Sequence, residues 1–230
     1  MKVTYYGHSC YQLEINGKKI LLDPFITPNE LAKKIDVNSI KPDYIFVSHG
    51  HEDHVADVES IAKRTGAQLV SSFEVVNWFA KKGVENSHSM GIGGSWDFGF
   101  GTVKCVNAMH SSSMPDGSYG GQPLGFLFIF EEDDVEKVVY YAGDTALHYD
   151  MCLIQDEFEY VDFAFLPVGD NFTMGMEDAE VAAHFVNADY VIPMHYDTFG
   201  LIEIDKEELE EIFEEFHLER FEIGEQKELI

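Results

Sequence analysis

Residues 48–55 read S-H-G-H-E-D-H-V, with three histidines and two acidic residues inside six positions. The segment follows the apolar run 44–47, Y-I-F-V, which is typical of a strand buried on both faces. The alternatives are a metal site and a solvated loop that happens to be rich in histidine. Because α/β proteins place their active sites at the ends of such strands, the position favours a metal site.

The spacing inside the segment indicates how cations would be held. Residues two apart in an extended segment point the same way, so His49 and His51 can converge on one cation. The chain then turns into a predicted helix near Val55, where Asp53 and His54 can face a second cation. Imidazole and carboxylate groups suit zinc, and also iron, manganese or nickel. The alternative for Asp53 is a first-turn acid that stabilises the helix N-terminus.

Three further candidates each follow an apolar strand elsewhere in the chain. They are His110 after residues 102–108, Asp144 after residues 137–141 and His195 after residues 190–194. Taken alone, each could be a turn residue or a histidine bonded to backbone. Taken with the cluster, they are the additional donors that two incomplete metal sites require.

Composition and charge exclude several functions. A net charge of −27 argues against a nucleic-acid surface and against binding to anionic membranes. An acidic balance suits a protein that gathers divalent cations, although a solvated acidic surface is the general alternative. The sequence has no apolar run of 18 residues and no signal-peptide pattern. Its three cysteines are widely spaced without a CxxC motif, so we expect a protein of the reducing cytoplasm.

The order of predicted elements indicates two similar halves in one domain, with two sheets face to face and helices outside. Asn16-Gly17 predicts a tight hairpin between two early strands. Apolar spacing predicts a helix over 55–65 that ends at Gly66, and an acidic amphipathic helix over 205–216. A last short strand is expected at 221–223.

The order H-G-H-E-D-H, a lone histidine, G-D and a late M-H resembles the metallo-β-lactamase superfamily over nearly the whole chain. The resemblance implies an α/β fold, a four-layer αβ/βα sandwich of two mixed β-sheets flanked by helices, as a single domain over residues 1–230. It also implies two divalent metal ions, zinc or else manganese, nickel or iron, with a bridging hydroxide as nucleophile. The implied ligands are His49, His51 and His110 for the first ion, Asp53, His54 and His195 for the second, and Asp144 bridging both. We expect Glu52 to point away from the site.

Two other stretches narrow the resemblance. Residues 6–10, Y-G-H-S-C, look like the G-H-S opening of small metal-dependent hydrolases related to the cytoplasmic ascorbate-6-phosphate lactonase. Residues 167–175, P-V-G-D-N-F-T-M-G, are similar to that group's P-x-G-x-x-F-T-M-G, with Asp170 where a small residue, usually glycine, is commoner. We therefore predict that Thr173 contacts substrate. For His8 we predict a catalytic and substrate-binding role alongside Asp53; the alternative is a buried histidine bonded to backbone.

These observations predict a cytoplasmic metal-dependent hydrolase that cleaves an ester, lactone or phosphoester bond of a small molecule. One alternative is a mononuclear-iron oxidoreductase of the persulfide dioxygenase type, which uses the same fold with fewer ligands filled. A second alternative is a non-catalytic metal-binding protein. We expect a small-molecule substrate, no nucleic acid and no membrane as partners. A homo-oligomer formed through the acidic terminal helix remains open.

Overall fold

The computed structural model describes residues 1–229. Within this range the chain forms fourteen strands, which in chain order are Lys2–Gly7 (β1), Cys10–Ile15 (β2), Lys18–Leu22 (β3), Tyr44–Phe46 (β4), Gln68–Ser72 (β5), Ser87–Met90 (β6), Ser95–Asp97 (β7), Thr102–Asn107 (β8), Leu124–Glu132 (β9), Val135–Tyr141 (β10), Val161–Pro167 (β11), Ala188–Met194 (β12), His217–Leu218 (β13) and Gln226–Glu228 (β14). The α-helices are Glu52–Val55 (α1), Val58–Thr65 (α2), Phe73–Ala80 (α3), Cys152–Glu157 (α4), Met176–Phe185 (α5) and Lys206–Ile212 (α6). Short 3-10 turns cover Glu30–Ala32, Val37–Ser39 and Tyr149–Met151.

The strands form two seven-stranded mixed sheets built on a similar plan. The first sheet has the order β14-β1-β2-β3-β4-β5-β6, and the second has the order β13-β12-β11-β10-β9-β8-β7. Strands β3 to β6 are parallel in the first sheet, as are β10 to β13 in the second. The remaining neighbours in each sheet are antiparallel. The expected α/β sandwich of two mixed sheets is confirmed.

The strand that precedes the histidine cluster is buried on both faces. Phe46 of β4 packs edge-on against Phe126 and Phe128 of β9, with ring centroids 5.3 and 5.2 Å apart, in the core between the sheets. Ile45 faces the opposite side of the sheet and belongs to a second apolar cluster with Phe79 of α3. This double burial explains the continuous apolar run in the sequence, because a strand with one solvated face would alternate.

The helix predicted over 55–65 is interrupted, so α1 and α2 replace one continuous helix. Asp57 lies at the break, and its buried carboxylate accepts hydrogen bonds from the backbone N–H groups of Ile26 and Thr27, at 2.7 and 2.8 Å. This contact ties the break to the loop after β3, a tertiary constraint that the local apolar spacing does not carry. The predicted end at Gly66 is confirmed, with a left-handed φ of +76°.

The C-terminal predictions need two corrections. Helix α6 ends at Ile212 and does not continue to 216. Residues 221–223 do not form a strand, because a turn closes there: the N–H of Glu225 donates to the carbonyl of Glu222 at 2.9 Å. The last strand is β14, which pairs with β1. No helix within residues 1–229 is long and apolar enough to cross a membrane.

Replacement of Phe46 tests the aromatic core between the sheets. Phe46→Ala should lower the free energy of unfolding by about 3–5 kcal/mol, because it leaves a cavity where β4 meets β9. Phe73→Ala is the matched control, since Phe73 is 62% exposed, and its effect should stay within about 0.5 kcal/mol. Urea titration followed by circular dichroism measures both changes. Equal effects of the two substitutions would contradict this description of the core.

Candidate metal centre

The predicted ligands come together at one end of the sandwich. They lie on the segments that follow β4, β8, β10 and β12, so both sheets contribute. Backbone hydrogen bonds hold these segments in place: the N–H of Leu124 donates to the carbonyl of Ser48 at 2.9 Å, and the N–H of His195 donates to the carbonyl of His8 at 3.2 Å. Strand-end residues distant in sequence therefore face one another across the two sheets.

Asp144 lies at the middle of the cluster and is 2% exposed. Its Oδ2 atom is within 3.9 Å of the Nε2 atoms of four histidines: His195 at 2.9 Å, His54 at 3.3 Å, His110 at 3.7 Å and His49 at 3.9 Å. One carboxylate oxygen thus touches histidines of both ligand trios implied by the sequence. This is the position that a bridging ligand requires.

The other donor atoms form two main groups around this carboxylate, and a third group, Asp23 with His49 and His54, overlaps both. The first donor set is His49, His51 and His110, and the second donor set is Asp53, His54 and His195 together with His8. Within each set the donor atoms lie within 4.8 Å of one another. The structure therefore brings together all seven residues predicted as ligands, and it adds His8 to the second set.

The unpaired polar atoms of the cluster fit a bound cation. His54 Nε2 and Asp144 Oδ1 are buried and have no hydrogen-bond partner. A buried polar atom without a hydrogen bond costs about 1–3 kcal/mol, a cost that a cation bound beside these atoms would offset. In the first set, His49 Nε2 and His51 Nδ1 lie 2.9 Å apart. A mixed set of imidazoles and carboxylates at these separations suits zinc, manganese, nickel or iron.

Burial sets the charge state of the first donor set. Burial lowers the pKa of His49 well below its usual value, and it also lowers the pKa values of His51 and His110. These imidazoles are therefore neutral and can offer a lone pair. Burial opposes the ionisation of Asp144, but attraction to the histidines of the second donor set outweighs it and holds the Asp144 pKa well below its usual value.

In the second donor set the pKa of His54 is shifted in the opposite direction, upward. Burial lowers the pKa of His54, but Asp144 and Asp23 outweigh burial and raise it well above its usual value. The surrounding carboxylates favour a proton on Nε2, and with it a positive charge on the imidazole. A proton and a divalent cation are alternatives at this position, so we expect metal binding to release a proton.

Asp23 is a site residue that the sequence analysis missed. It is fully buried after β3, and its carboxylate accepts hydrogen bonds from the N–H and hydroxyl of Ser48 at 2.7 and 2.6 Å and from the hydroxyl of Tyr141 at 2.8 Å. His54 Nδ1 lies 2.8 Å from the same carboxylate. The signal was available, because Asp23 directly follows a predicted strand and Asp144 follows another one after two intervening residues.

The Asp23 hydrogen bonds fix the tautomers of one histidine in each donor set. His54 Nδ1–H donates to Asp23, which leaves Nε2 as the atom that faces Asp144. The Ser48 hydroxyl donates to Asp23, so its oxygen accepts from His49 Nδ1 at 2.9 Å, and His49 also turns Nε2 toward the site. Such partners orient ligands and raise their basicity.

The ring nitrogens of His8 contact side chains. The sequence left open the alternative of a buried histidine bonded to backbone. Its Nε2 lies 3.3 Å from Asp53 Oδ2, and its Nδ1 lies 3.0 Å from Thr198 Oγ1. Burial lowers the pKa of His8 to about 4, so the ring is neutral at neutral pH. This geometry suits orientation of Asp53, while the predicted role in substrate binding stays a prediction.

The structure does not place Thr173 on the cavity above the donor sets. Its hydroxyl contacts the Met174 carbonyl at 3.3 Å, while the neighbouring Phe172 lines the cavity. The role predicted for Thr173 in substrate contact therefore stays a prediction. Glu52 is exposed on α1 and belongs to neither donor set, in line with the expectation that it points away.

Comparison with known proteins gives consistent matches over most of the chain. A family model described as a beta-lactamase superfamily domain matches residues 2–195. A UPF0173 metal-dependent hydrolase of Christiangramia forsetii is 54% identical over 94% of this chain and 93% of its own length. A second one, from Methylacidiphilum infernorum, is 46% identical over 94% and 93%. The structure of Igni18, described as a novel metallo hydrolase from Ignicoccus hospitalis, covers 100% of this chain and 99% of its own, with 33% identity and a TM-score of 0.86.

Replacement of Asp23 tests its role in holding the ligands. Asp23→Asn removes a charged acceptor from His54 and Ser48, so metal affinity should fall about 10–100-fold. Asp162→Asn is the matched control, since this buried carboxylate binds Lys137 Nζ and the Val138 N–H near the other end of β10, both at 2.8 Å. Competition with a chromogenic chelator measures the affinities. The interpretation is wrong if both variants bind metal as tightly as the original protein.

Proposed function

The chain belongs to the metallo-β-lactamase superfamily, as a metal-dependent hydrolase, and from this premise we propose that it cleaves an ester, lactone or phosphoester bond of a small molecule at a binuclear metal centre. The observation that supports two ions is the position of Asp144, whose single oxygen lies next to histidines of both donor sets. Carboxylates in such positions bridge pairs of cations about 3.5–4 Å apart.

We assign the ligands by their place in the two donor sets. His49, His51 and His110 would hold the first ion, and Asp53, His54 and His195 would hold the second. Asp144 lies beside histidines of both sets and would serve both ions. Zinc is the first candidate, with manganese, nickel and iron as alternatives, because the same imidazole and carboxylate donors accept each of them. Two divalent cations bound there would lower the pKa of a water and polarise the carbonyl or phosphoryl oxygen of the substrate.

The chain's own residues position the reacting groups. Asp53 is the acid of the second donor set that lines the cavity with part of its side chain exposed. Burial raises its pKa, but His54 and His8 outweigh burial and hold the pKa well below its usual value, so Asp53 is an ionised acceptor beside the substrate. His8 lies 3.3 Å from Asp53 on the side away from solvent and keeps that carboxylate oriented. We therefore propose Asp53 and His8 as catalytic residues, with Asp53 accepting a hydrogen bond from the attacking water and His8 keeping that carboxylate in position.

The full second donor set favours the hydrolase over the iron oxidoreductase alternative. A mononuclear site fills fewer ligands, and it would leave Asp53, His54 and His195 without a metal although their donor atoms converge. The three free cysteines, of which Cys10 and Cys105 are buried, support a reducing cytoplasm as the compartment. The charge of −27 supports a small-molecule substrate over nucleic acid. Assembly through α6 stays a prediction.

Two ligand replacements test this proposal. His51→Ala should lower the metal content from two ions per chain toward one, and Asp144→Ala should lower it further because both ions lose a ligand. Turnover of ester, lactone and phosphodiester substrates should fall at least about 100-fold, beyond the range expected for losing only an orienting partner. Metal is measured by plasma mass spectrometry and turnover by absorbance.

His184→Ala is the matched control for these variants. His184 is exposed on α5, where it pairs with Glu180 at 2.8 Å and lies outside both donor sets. It should keep the original metal content and turnover. Unchanged metal content and activity in His51→Ala and Asp144→Ala would refute the proposal. One iron per chain with oxygen consumption on glutathione persulfide would establish the oxidoreductase instead.

A further inference from the structure

The mouth of the cavity above the donor sets is apolar. The cavity has a volume of about 520 Å³, and its floor is formed by residues of the donor sets and Asp144. Three apolar side chains, which we call the apolar rim, surround its opening: Phe172, Phe199 and Leu201, which are 50%, 38% and 69% exposed. Clustered exposed apolar groups above a reactive floor are typical of binding sites.

Resting on the proposed function, we infer that the substrate is an uncharged carboxylic ester or lactone whose apolar acyl chain lies against Phe172, Phe199 and Leu201. The inference excludes phosphomonoesters, phosphodiesters and sugar phosphates as preferred substrates. It therefore narrows the proposed hydrolysis to two of the three bond types that the metal chemistry alone allows, the ester and the lactone.

The loop that carries Phe172 is tied by backbone hydrogen bonds to the segment that follows Asp144. Asp170 and Asn171 both adopt left-handed backbone, with φ of +59° and +52°, and turn the chain so that Phe172 reaches the cavity. The loop closes when the Asp170 N–H donates to the Met174 carbonyl at 3.0 Å. The Met174 N–H in turn donates to the carbonyl of Thr145, the residue after Asp144, also at 3.0 Å. Phe172 is therefore fixed relative to Asp144.

The second loop of the rim is closed in a similar way. Asp197 is left-handed with φ of +60°, and its N–H donates to the carbonyl of the fully buried Ile202 at 2.8 Å. This hydrogen bond joins the two ends of the loop that carries Phe199 and Leu201. The Phe199 ring lies edge-on to His8, with centroids 5.4 Å apart. An apolar group against Phe199 would thus lie next to the second donor set, close to the reacting bond.

The cavity offers an anionic substrate no cationic side chain. Among the residues that line it in the described part of the chain, none is lysine or arginine. Lys206, on the neighbouring helix α6, is engaged by Asp197 at 3.2 Å. Proteins that select phosphate or carboxylate groups use arginine, lysine or a helix N-terminus for that purpose. Two bound divalent cations would attract the group at the scissile bond, but the rim offers nothing to hold a negative charge on the rest of the substrate. The net charge of −27 adds a repulsive field for anions, which favours uncharged molecules.

The experiment uses one leaving group and varies only the acyl part. Substrates are p-nitrophenyl acetate, butanoate and hexanoate, together with the mono-p-nitrophenyl ester of adipate, which has the hexanoate length and a terminal carboxylate. A methylene that packs against a half-exposed apolar rim gains about half of the free energy of full burial. The value of kcat/KM should therefore rise about twofold per methylene and at least about tenfold from acetate to hexanoate. The adipate ester should be at least about tenfold poorer than hexanoate.

Variants of the rim link this preference to the named residues. Phe172→Ala and Leu201→Ala should each reduce the hexanoate-to-acetate ratio to below about threefold. Phe73→Ala and Leu153→Ala are matched controls, because both residues are 62% exposed and lie outside the cavity lining, and both should keep the original ratio. A flat acyl series, or faster turnover of the adipate ester, would overturn the inference while leaving the hydrolase assignment intact.

A binding measurement separates failure of this inference from failure of the proposed function. Saturation-transfer NMR compares 4-phenylbutan-2-one, which is uncharged and has no scissile ester, with 4-phenylbutyl phosphate. Stronger binding of the ketone that is lost in Phe172→Ala supports the apolar rim even if no ester is hydrolysed, and absence of turnover then refutes hydrolysis alone. Stronger binding of the phosphate overturns the inference.

Discussion

A buried carboxylate surrounded by imidazoles is the constraint on which the rest of the site depends. Asp144 cannot remain ionised in the interior without positive charge or strong donors close to it. The Nε2 atoms of histidines from both donor sets provide that environment. Gly143 makes the approach possible: its φ is +63°, and a Cβ there would lie 2.8 Å from the Cβ of Ser48. The two sheets therefore approach each other closely at the edge that carries the buried Asp144 carboxylate.

The backbone around the centre stores strain that the sheets hold in place. His8, Asp23 and His195 all adopt left-handed conformations, with φ of +58°, +39° and +58°, although none is glycine. Each such residue costs about 1–3 kcal/mol and persists only where the surrounding structure determines it. Each directly follows or closely follows a strand, so the sheet fixes the backbone before the turn. Rigid strand ends thus position side chains that flexible loops would not hold at these separations.

The sequence predicted the candidate ligands outside the histidine cluster because they obey one rule, a donor shortly after an apolar strand. The rule found His110 and Asp144, and applied to the strand before Asp23 it would have found that residue too. The interruption between α1 and α2 was not predictable, because it accompanies hydrogen bonds from Asp57 to a loop thirty residues away. The strand β14 was also missed, since its three residues carry no apolar alternation and pair only through the fold.

Asp170 shows how the substrate question changes once the backbone is known. In the sequence, Asp170 stands out as a departure from the glycine that is commoner in the resembling group. Its φ of +59° gives a simpler reason for glycine there, because that region is free for glycine and tolerated by aspartate. Asp170 is exposed and does not line the cavity, so the change from glycine preserves the turn. We therefore attribute selectivity to the side chain that the turn presents, Phe172, and not to the residue that makes the turn.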